Sequence, residues 1–156
     1  MTTTLTAATL TVTLKESIEL NGVEQGGTNT KTIASINEVS KRIVTVTTTE
    51  AEVVAMSTAI ASGTFIEGDV RYMRFTNLDD TNFITLTFKN ENNDEFAIKL
   101  DAGHSFIYPG DNSGGVVDTM DAIDGTGLTY DLGDLVNCTA DADTASCDME
   151  IFVASV

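Results

Sequence analysis

The side chains of this chain that could do chemistry are few: one histidine, two cysteines and an excess of carboxylates. His104 is the single imidazole, and a Ser or Cys nucleophile in a hydrolase ordinarily needs an imidazole as its base. It stands in Asp101-Ala102-Gly103-His104-Ser105, with no G-x-S-x-G elbow and no Cys close by in sequence. The plainer expectation is a loop histidine making a local hydrogen bond, so no catalytic residue is assigned. Carboxylate pairs could act as acid and base, but among 24 acidic residues a pair on one face carries almost no information. No glycine-rich phosphate cradle opens a helix: Gly114-Gly115 runs into Val116 and Asp118 instead of Lys-Ser/Thr. There is no C-x-x-C and no second histidine, which removes the ordinary zinc ligand sets. No cofactor is expected.

Calcium takes hard oxygen ligands on flexible loops. Asp118, Asp121 and Asp124 lie in one Gly-flanked stretch, and Asp141 with Asp143 in another. Neither matches the EF-hand loop, so these five are weak calcium candidates set against plain solvated carboxylates. The cysteines carry more information. Cys138 shares strand parity with Val136, and Cys147 with Met149 and Ile151, so both point to an apolar face. If residues 128–138 and 147–155 pair as a hairpin, the two sulfurs become cross-strand neighbours. A disulfide there would stabilise by roughly 2–3 kcal/mol in the chain-entropy account. The competing expectation, favoured without a secretory leader, is two reduced, buried thiols acting as small apolar groups. Asn137-Cys138-Thr139 matches the glycosylation sequon and is read as chance on the same ground.

The elements that must position these residues are strands. Leu10, Val12 and Leu14 alternate with Thr9, Thr11 and Thr13; Ile84, Leu86 and Phe88 with Thr85 and Thr87; Phe96, Ile98 and Leu100 with Glu95, Ala97 and Lys99. Each set places apolar side chains on one pleat face and polar ones on the other. Weaker candidates cover residues 17–21, 29–36, 42–48, 70–77, 104–108, 128–138 and 147–155. Turn chemistry falls between them, at Asn21-Gly22, Gly26-Gly27, Asn77 to Asp80, Asn90 to Asp94, Pro109-Gly110 and Gly114-Gly115. Residues 49–61 fit either a helix capped by Thr49 and Glu52 or a strand through Val53 and Val54, with the strand preferred. The whole reads as an all-β chain: one antiparallel β-sandwich or jelly-roll-like domain over residues 1–156. It has a Thr-rich N-terminal arm at about 1–15 and an Asp- and Gly-rich loop at about 109–127.

Composition narrows the function classes. The 156 residues carry 24 acids, 8 bases and a net charge of −16, which repels phosphate backbones and anionic lipid surfaces. No nucleic acid and no membrane are therefore expected as partners. The imbalance is sided: Lys99 is the last basic residue, and residues 100–156 hold 11 acids. Met1-Thr2-Thr3-Thr4-Leu5 lacks the regions of a secretory leader, and no apolar run reaches the roughly 18 residues of a membrane helix. A mature, soluble chain is expected. There are 25 threonines, β-branched residues suited to solvated strand faces.

Against this background one stretch carries a likeness. Gly63-Thr64-Phe65, then Asp69-Val70-Arg71-Tyr72-Met73-Arg74-Phe75-Thr76-Asn77-Leu78-Asp79-Asp80-Thr81-Asn82-Phe83-Ile84-Thr85-Leu86, resembles virion structural proteins of tailed bacteriophages, notably of the marine and cyanobacterial type. Glu95 to Phe106 and the ending Ala140 to Ala154 are similar to the same proteins. These are strand and turn texts and not active-site signatures. The resemblance implies a non-enzymatic virion structural protein, foremost a capsid decoration or cement protein. It implies a homo-oligomer whose partners are other virion proteins, the major capsid protein or tail proteins. A tail-side fibre, tube, baseplate or adaptor subunit is the near alternative. From another class, a carbohydrate-binding β-sandwich module is disfavoured by the absence of Trp and by having only Tyr72, Tyr108 and Tyr130 as candidate platforms. Intersubunit contact is expected through the termini or the 109–127 loop, with the Thr-rich residues 2–13 free to add a strand to a neighbour's sheet edge.

Overall fold

A computed structural model describes residues 4–121 and 132–156. Over these residues the regular structure is all strand: β1 (Ala8–Lys15), β2 (Glu19–Leu20), β3 (Val23–Glu24), β4 (Thr28–Ile36), β5 (Glu38–Val46), β6 (Ala51–Ser57), β7 (Phe65–Ile66), β8 (Val70–Asn77), β9 (Ile84–Asn90), β10 (Glu95–Leu100), β11 (Ser105–Pro109), β12 (Leu135–Ala142) and β13 (Cys147–Ser155). No helix among the described residues is long and apolar enough to cross a membrane.

Eight strands make the body, and their pairing is nested. β9 pairs antiparallel with β10, β8 with β11, β6 with β12 and β5 with β13. The further pairings β12 with β9 and β13 with β8 join these into two sheets, ordered β11-β8-β13-β5 and β10-β9-β12-β6, the latter extended by the two-residue β7. A long hairpin folded on itself and rolled into two facing sheets has this order, which is that of a jelly roll. The antiparallel sandwich read from the sequence is the architecture found.

Period-two burial builds the core. β9 alternates without a break, with Ile84, Leu86 and Phe88 fully buried and Thr85 and Thr87 on the other face. Phe88 is the meeting point of the layers: Phe96 of the same sheet stacks on it at 5.0 Å, and Phe75, Phe106 and Tyr108 of the other sheet lie at 5.6, 5.3 and 5.3 Å. Residues 49–61 contain β6, a strand as preferred. Val54 and Met56 enter the core, and Arg42 of β5 donates to the Val53 carbonyl on the side of β6 that has no strand partner there.

Two expectations are corrected. Residues 128–138 and 147–155 do not form a hairpin: β12 and β13 lie in different sheets, and the turn between them crosses the sandwich. Cys138 pairs in register with Val54 and Phe88, and Cys147 with Val46, so the thiols are not cross-strand neighbours. The second correction concerns the 109–127 loop, whose described part is not a loose excursion. Val116 and Met120 are buried in the core, and short bridges tie Asp111 to Gly115 and Met120 to Gly133. Gly115 has φ +68°, and a Cβ there would fall 2.2 Å from the Glu67 carbonyl oxygen; only glycine fits that turn.

Buried asparagines fix the turns at both ends of β9. Asn77 donates to the carbonyls of Asn82 (2.8 Å) and Leu100 (3.2 Å) and accepts from the Asp79 amide (3.0 Å). Asp79 accepts in turn from the amides of Thr81 and Asn82, and these bonds hold its carboxyl below the usual range. Asn90 repeats the device, accepting from the amides of Asn92 and Asp94. Asn77→Ala should therefore cost about 1–3 kcal/mol for each partner left buried and unpaired, read as a lower urea midpoint at unchanged slope. An unshifted midpoint would mean that the turn stands without Asn77.

Candidate functional site

The alternation of Leu10, Val12 and Leu14 with threonine makes a strand with one apolar face, and the chain uses it outside the sandwich. β1 pairs antiparallel with β4, and β2 with β3 at the far end, forming a two-stranded ribbon. The N-terminal segment is thus not a free strand; its partner is β4. Leu10 and Val12, with Ile33 and Ile36 of β4, pack on Tyr72, Ile107, Phe152, Ala154 and Val156 on the outer face of the β11-β8-β13-β5 sheet. This second, smaller core leaves clefts beneath the ribbon of about 360 Å³, lined by Leu10 to Leu14, Arg74 and Phe152 among others, and about 180 Å³ towards Pro109 and Asn112.

Charge on this face is neutralised locally. Arg74 Nη2 meets Glu150 Oε1 at 2.5 Å, and Lys41 Nζ meets Oε2 at 3.3 Å. The Arg74 hydrogen bond, with Lys41, holds the Glu150 carboxyl below its ordinary range. Tyr72 packs edge-on to Phe152 at 6.0 Å, and burial raises its phenol. Arg71 and Arg74 have opposite strand parity, and the sequence places at most one of them toward a partner. Both line the clefts beside the ribbon; Tyr72 and Val70 pair with the consecutive residues Ala154 and Ser155, so Arg71 is an extra residue of β8 there and is released from the strand's alternation. Arg71 is held there by the carbonyl of Gly68 at 2.7 Å.

The residues singled out for chemistry are scattered. His104 is exposed in the turn between β10 and β11, where its amide bonds to the Asp101 carbonyl and its carbonyl accepts from Asn77. The Asp118 amide bonds to Asp134 at 2.8 Å. Asp121 precedes the undescribed segment, Asp124 lies outside the described residues, and Asp141 and Asp143 stand at the end of β12 and in the turn after it. Among the described residues no three His, Cys, Asp or Glu side chains come together to hold a metal ion. A carboxylate grouping not picked out from the sequence surrounds Glu67: burial, then the charges of Asp134 and Glu91, push its carboxyl up. The three residues are far apart in sequence, so no local pattern signals them. Tyr72 and Tyr108 are buried, the latter bonded to Thr119 at 2.9 Å; neither forms an exposed sugar platform, and Tyr130 lies outside the described residues. Asn137 of the sequon is in β12 and donates to Glu52 at 2.9 Å.

Both cysteines are free and buried. Burial pushes the Cys138 thiol up, and burial with the charges of Asp79, Asp143 and Asp148 raises that of Cys147.

No protein-family model matches the chain, and no curated protein matches it. Among solved structures, one chain from a structure described as "Bacillus endospore appendages form a novel family of disulfide-linked pili" is similar over 76% of this chain and 85% of that one, at 11% identity and a TM-score of 0.41.

Two outcomes follow from the buried groups. Iodoacetamide without reductant should add no label to the native chain and two to the denatured one; a denatured chain that takes none carries a disulfide. Because the fold raises the Glu67 carboxyl above its ordinary range, ionised Glu67 opposes folding, and that penalty vanishes below the unfolded value. Glu67→Gln should then raise Tm at pH 7 and lose the advantage as pH falls below about 4.5. A Tm gain that does not depend on pH would remove the ionised carboxylate as its cause.

Proposed function

We propose that this chain is a non-enzymatic structural subunit of a tailed-phage particle, a capsid decoration or cement protein that docks on the shell in many copies. The observation that carries the reading is the division of labour in the fold. The sandwich closes on a filled aromatic core, while the ribbon on its outer face holds out an apolar end, Leu14, Ile18, Leu20 and Val23, that is exposed. A subunit made to be covered by other subunits needs both parts.

The segments that resemble phage virion proteins support the same reading. They correspond to β8, the Asn77 to Asn82 turn, the first residues of β9, β10 and the start of β11, with the last residues of β12 and nearly all of β13 at the end. These are the parts that hold the two sheets together, which is where a shared scaffold would keep its text. The jelly-roll order serves viral capsid and lectin domains alike, so architecture alone does not choose between them. The burial of Tyr72 and Tyr108 weighs against the lectin class. A tail-side subunit differs from a decoration protein in number and not in chemistry.

Quantitative mass spectrometry of purified particles tests the proposal. On the order of hundreds of copies per particle are expected for a shell-bound protein, whereas about six to a few dozen would move it to the tail. Absence from the particle would overturn the reading. Because the ribbon face is apolar and its ions are already paired, attachment should survive washing at about 1 M salt, where charge contacts beyond a few ångströms are screened.

A further inference from the structure

Two sheets have four edges, and three of them carry a guard. β6 is extended by β7 and takes Arg42 on its Val53 carbonyl. β5, which sends that arginine, shares a cleft with Gly63, Thr64 and Phe65 through Glu38, Ser40 and Arg42. β11 ends on Pro109, which has no N–H to offer a neighbouring strand. β10 has none of these devices. It runs in unbroken register along β9, and among the described residues no strand pairs with its other side. Such an edge is a template for a further strand.

The side chains of β10 select that strand. Glu95, Ala97 and Lys99 are exposed on the outer face, while Phe96 and Ile98 turn inward, half-buried at the rim of the core. In the antiparallel sense about Ala97, Glu95-Phe96-Ala97-Ile98-Lys99 is its own complement. A second β10 laid across that two-fold axis puts Glu95 opposite the partner's Lys99, Phe96 opposite the partner's Ile98, and Ala97 opposite its own copy. Opposite charges, and an aromatic beside a β-branched residue, are favourable cross-strand pairs.

The ion pairs already present are joined and not broken. Glu95 meets Lys89 at 3.5 Å, and Lys99 meets Asp101 at 3.9 Å while lying over the Phe83 ring. The Glu95 and Lys99 side chains remain 52% and 59% exposed, so each has room for a second partner. Across the axis the signs then alternate: Lys89, Glu95, the partner's Lys99, the partner's Asp101. Asp94, which precedes the strand, is turned to Asn90. Neighbouring registers lack this fit. Centring the axis on Glu95 or on Lys99 sets like charges together, centring on Ile98 sets Glu95 on the partner's Asp101, and centring on Phe96 leaves Glu95 opposite the partner's Ala97.

We propose that two copies join edge to edge through β10 in the register centred on Ala97, so that their β10-β9-β12-β6 sheets run on as one. This deepens the reading as an assembly subunit and rests on it. The same strand serves both copies, so the contact is isologous and closes as a symmetric dimer.

The test reverses charge at the two exposed positions. By size exclusion with light scattering the wild type should show the mass of a dimer at about 100 μM, a concentration that populates contacts of micromolar Kd. Glu95→Lys alone and Lys99→Glu alone each set two like-charged pairs where two opposite ones stood, and each should weaken the dimer by roughly tenfold or more. An equal mixture of the two variants restores opposite pairs and should recover the wild-type dimer, as should the chain carrying both substitutions. Unchanged Tm confirms folding, since the exposed ion pairs given up contribute little. A monomeric wild type, a single variant that dimerises as well as the wild type, or a mixture and double variant that stay monomeric would overturn the proposal. None of these results bears on whether the chain is found in the particle, so the two readings fail separately.

Discussion

Everything in this fold hangs on filling the space between two sheets at Phe88. Its ring is fully buried and touches aromatic rings from β8, β10 and β11. Strands supply backbone pairing within a sheet, but nothing in a ladder holds one sheet to another; that cohesion comes from interdigitated side chains in the roughly 10 Å gap. A large ring at the centre, ringed by others at 5.0–5.6 Å, removes more apolar surface from water than any aliphatic residue could at that point. The asparagine turns serve the same end. Asn77 ends β8 and Asn90 ends β9, each with its own hydrogen bonds, and the Asn90 turn leads into the β9–β10 register that brings Phe88 opposite Phe96.

What could be read in advance follows from which of these interactions are local. The alternation at Ile84, Leu86 and Phe88 is written in consecutive residues, because a strand with one buried face must repeat every two positions. The Asn- and Asp-rich turns are equally local. Pairing is not: the text of β12 and β13 suits a hairpin as well as the two-sheet crossing, and the choice is made by β9 and β8, some fifty and seventy residues earlier in the chain. Strict parity does not hold at Arg71 for a related reason, since the extra residue of β8 there is set by its pairing with β13 and is not marked in the sequence of β8 alone. In the 109–127 stretch two isolated apolar residues, Val116 and Met120, enter the core without any period to announce them.

The outer layer was the hardest part to anticipate, although β5 held a signal. Both parities of that strand are apolar, Val39 and Ile43 on one side and Val44 and Val46 on the other. A strand apolar on two faces must be covered twice or left partly bare. Here the sandwich covers one face, the ribbon covers the neighbouring strands on the other, and β5 is left over.

The threonine excess then acquires a physical reason. On the ribbon, Thr11 lies opposite Thr32 and Thr13 opposite Thr30, the latter pair with hydroxyls 3.4 Å apart. These residues face water, where lysine and glutamate would be the usual choice for an exposed edge. Threonine keeps the β-branch that favours an extended backbone while adding no charge. A ribbon that stands largely free of its own body needs that intrinsic stiffness. On a chain of net charge −16, threonine at these positions adds nothing to the self-repulsion of the fold. One residue type meets both demands, which places the threonines of β1 and β4 where stiffness and neutrality are required together.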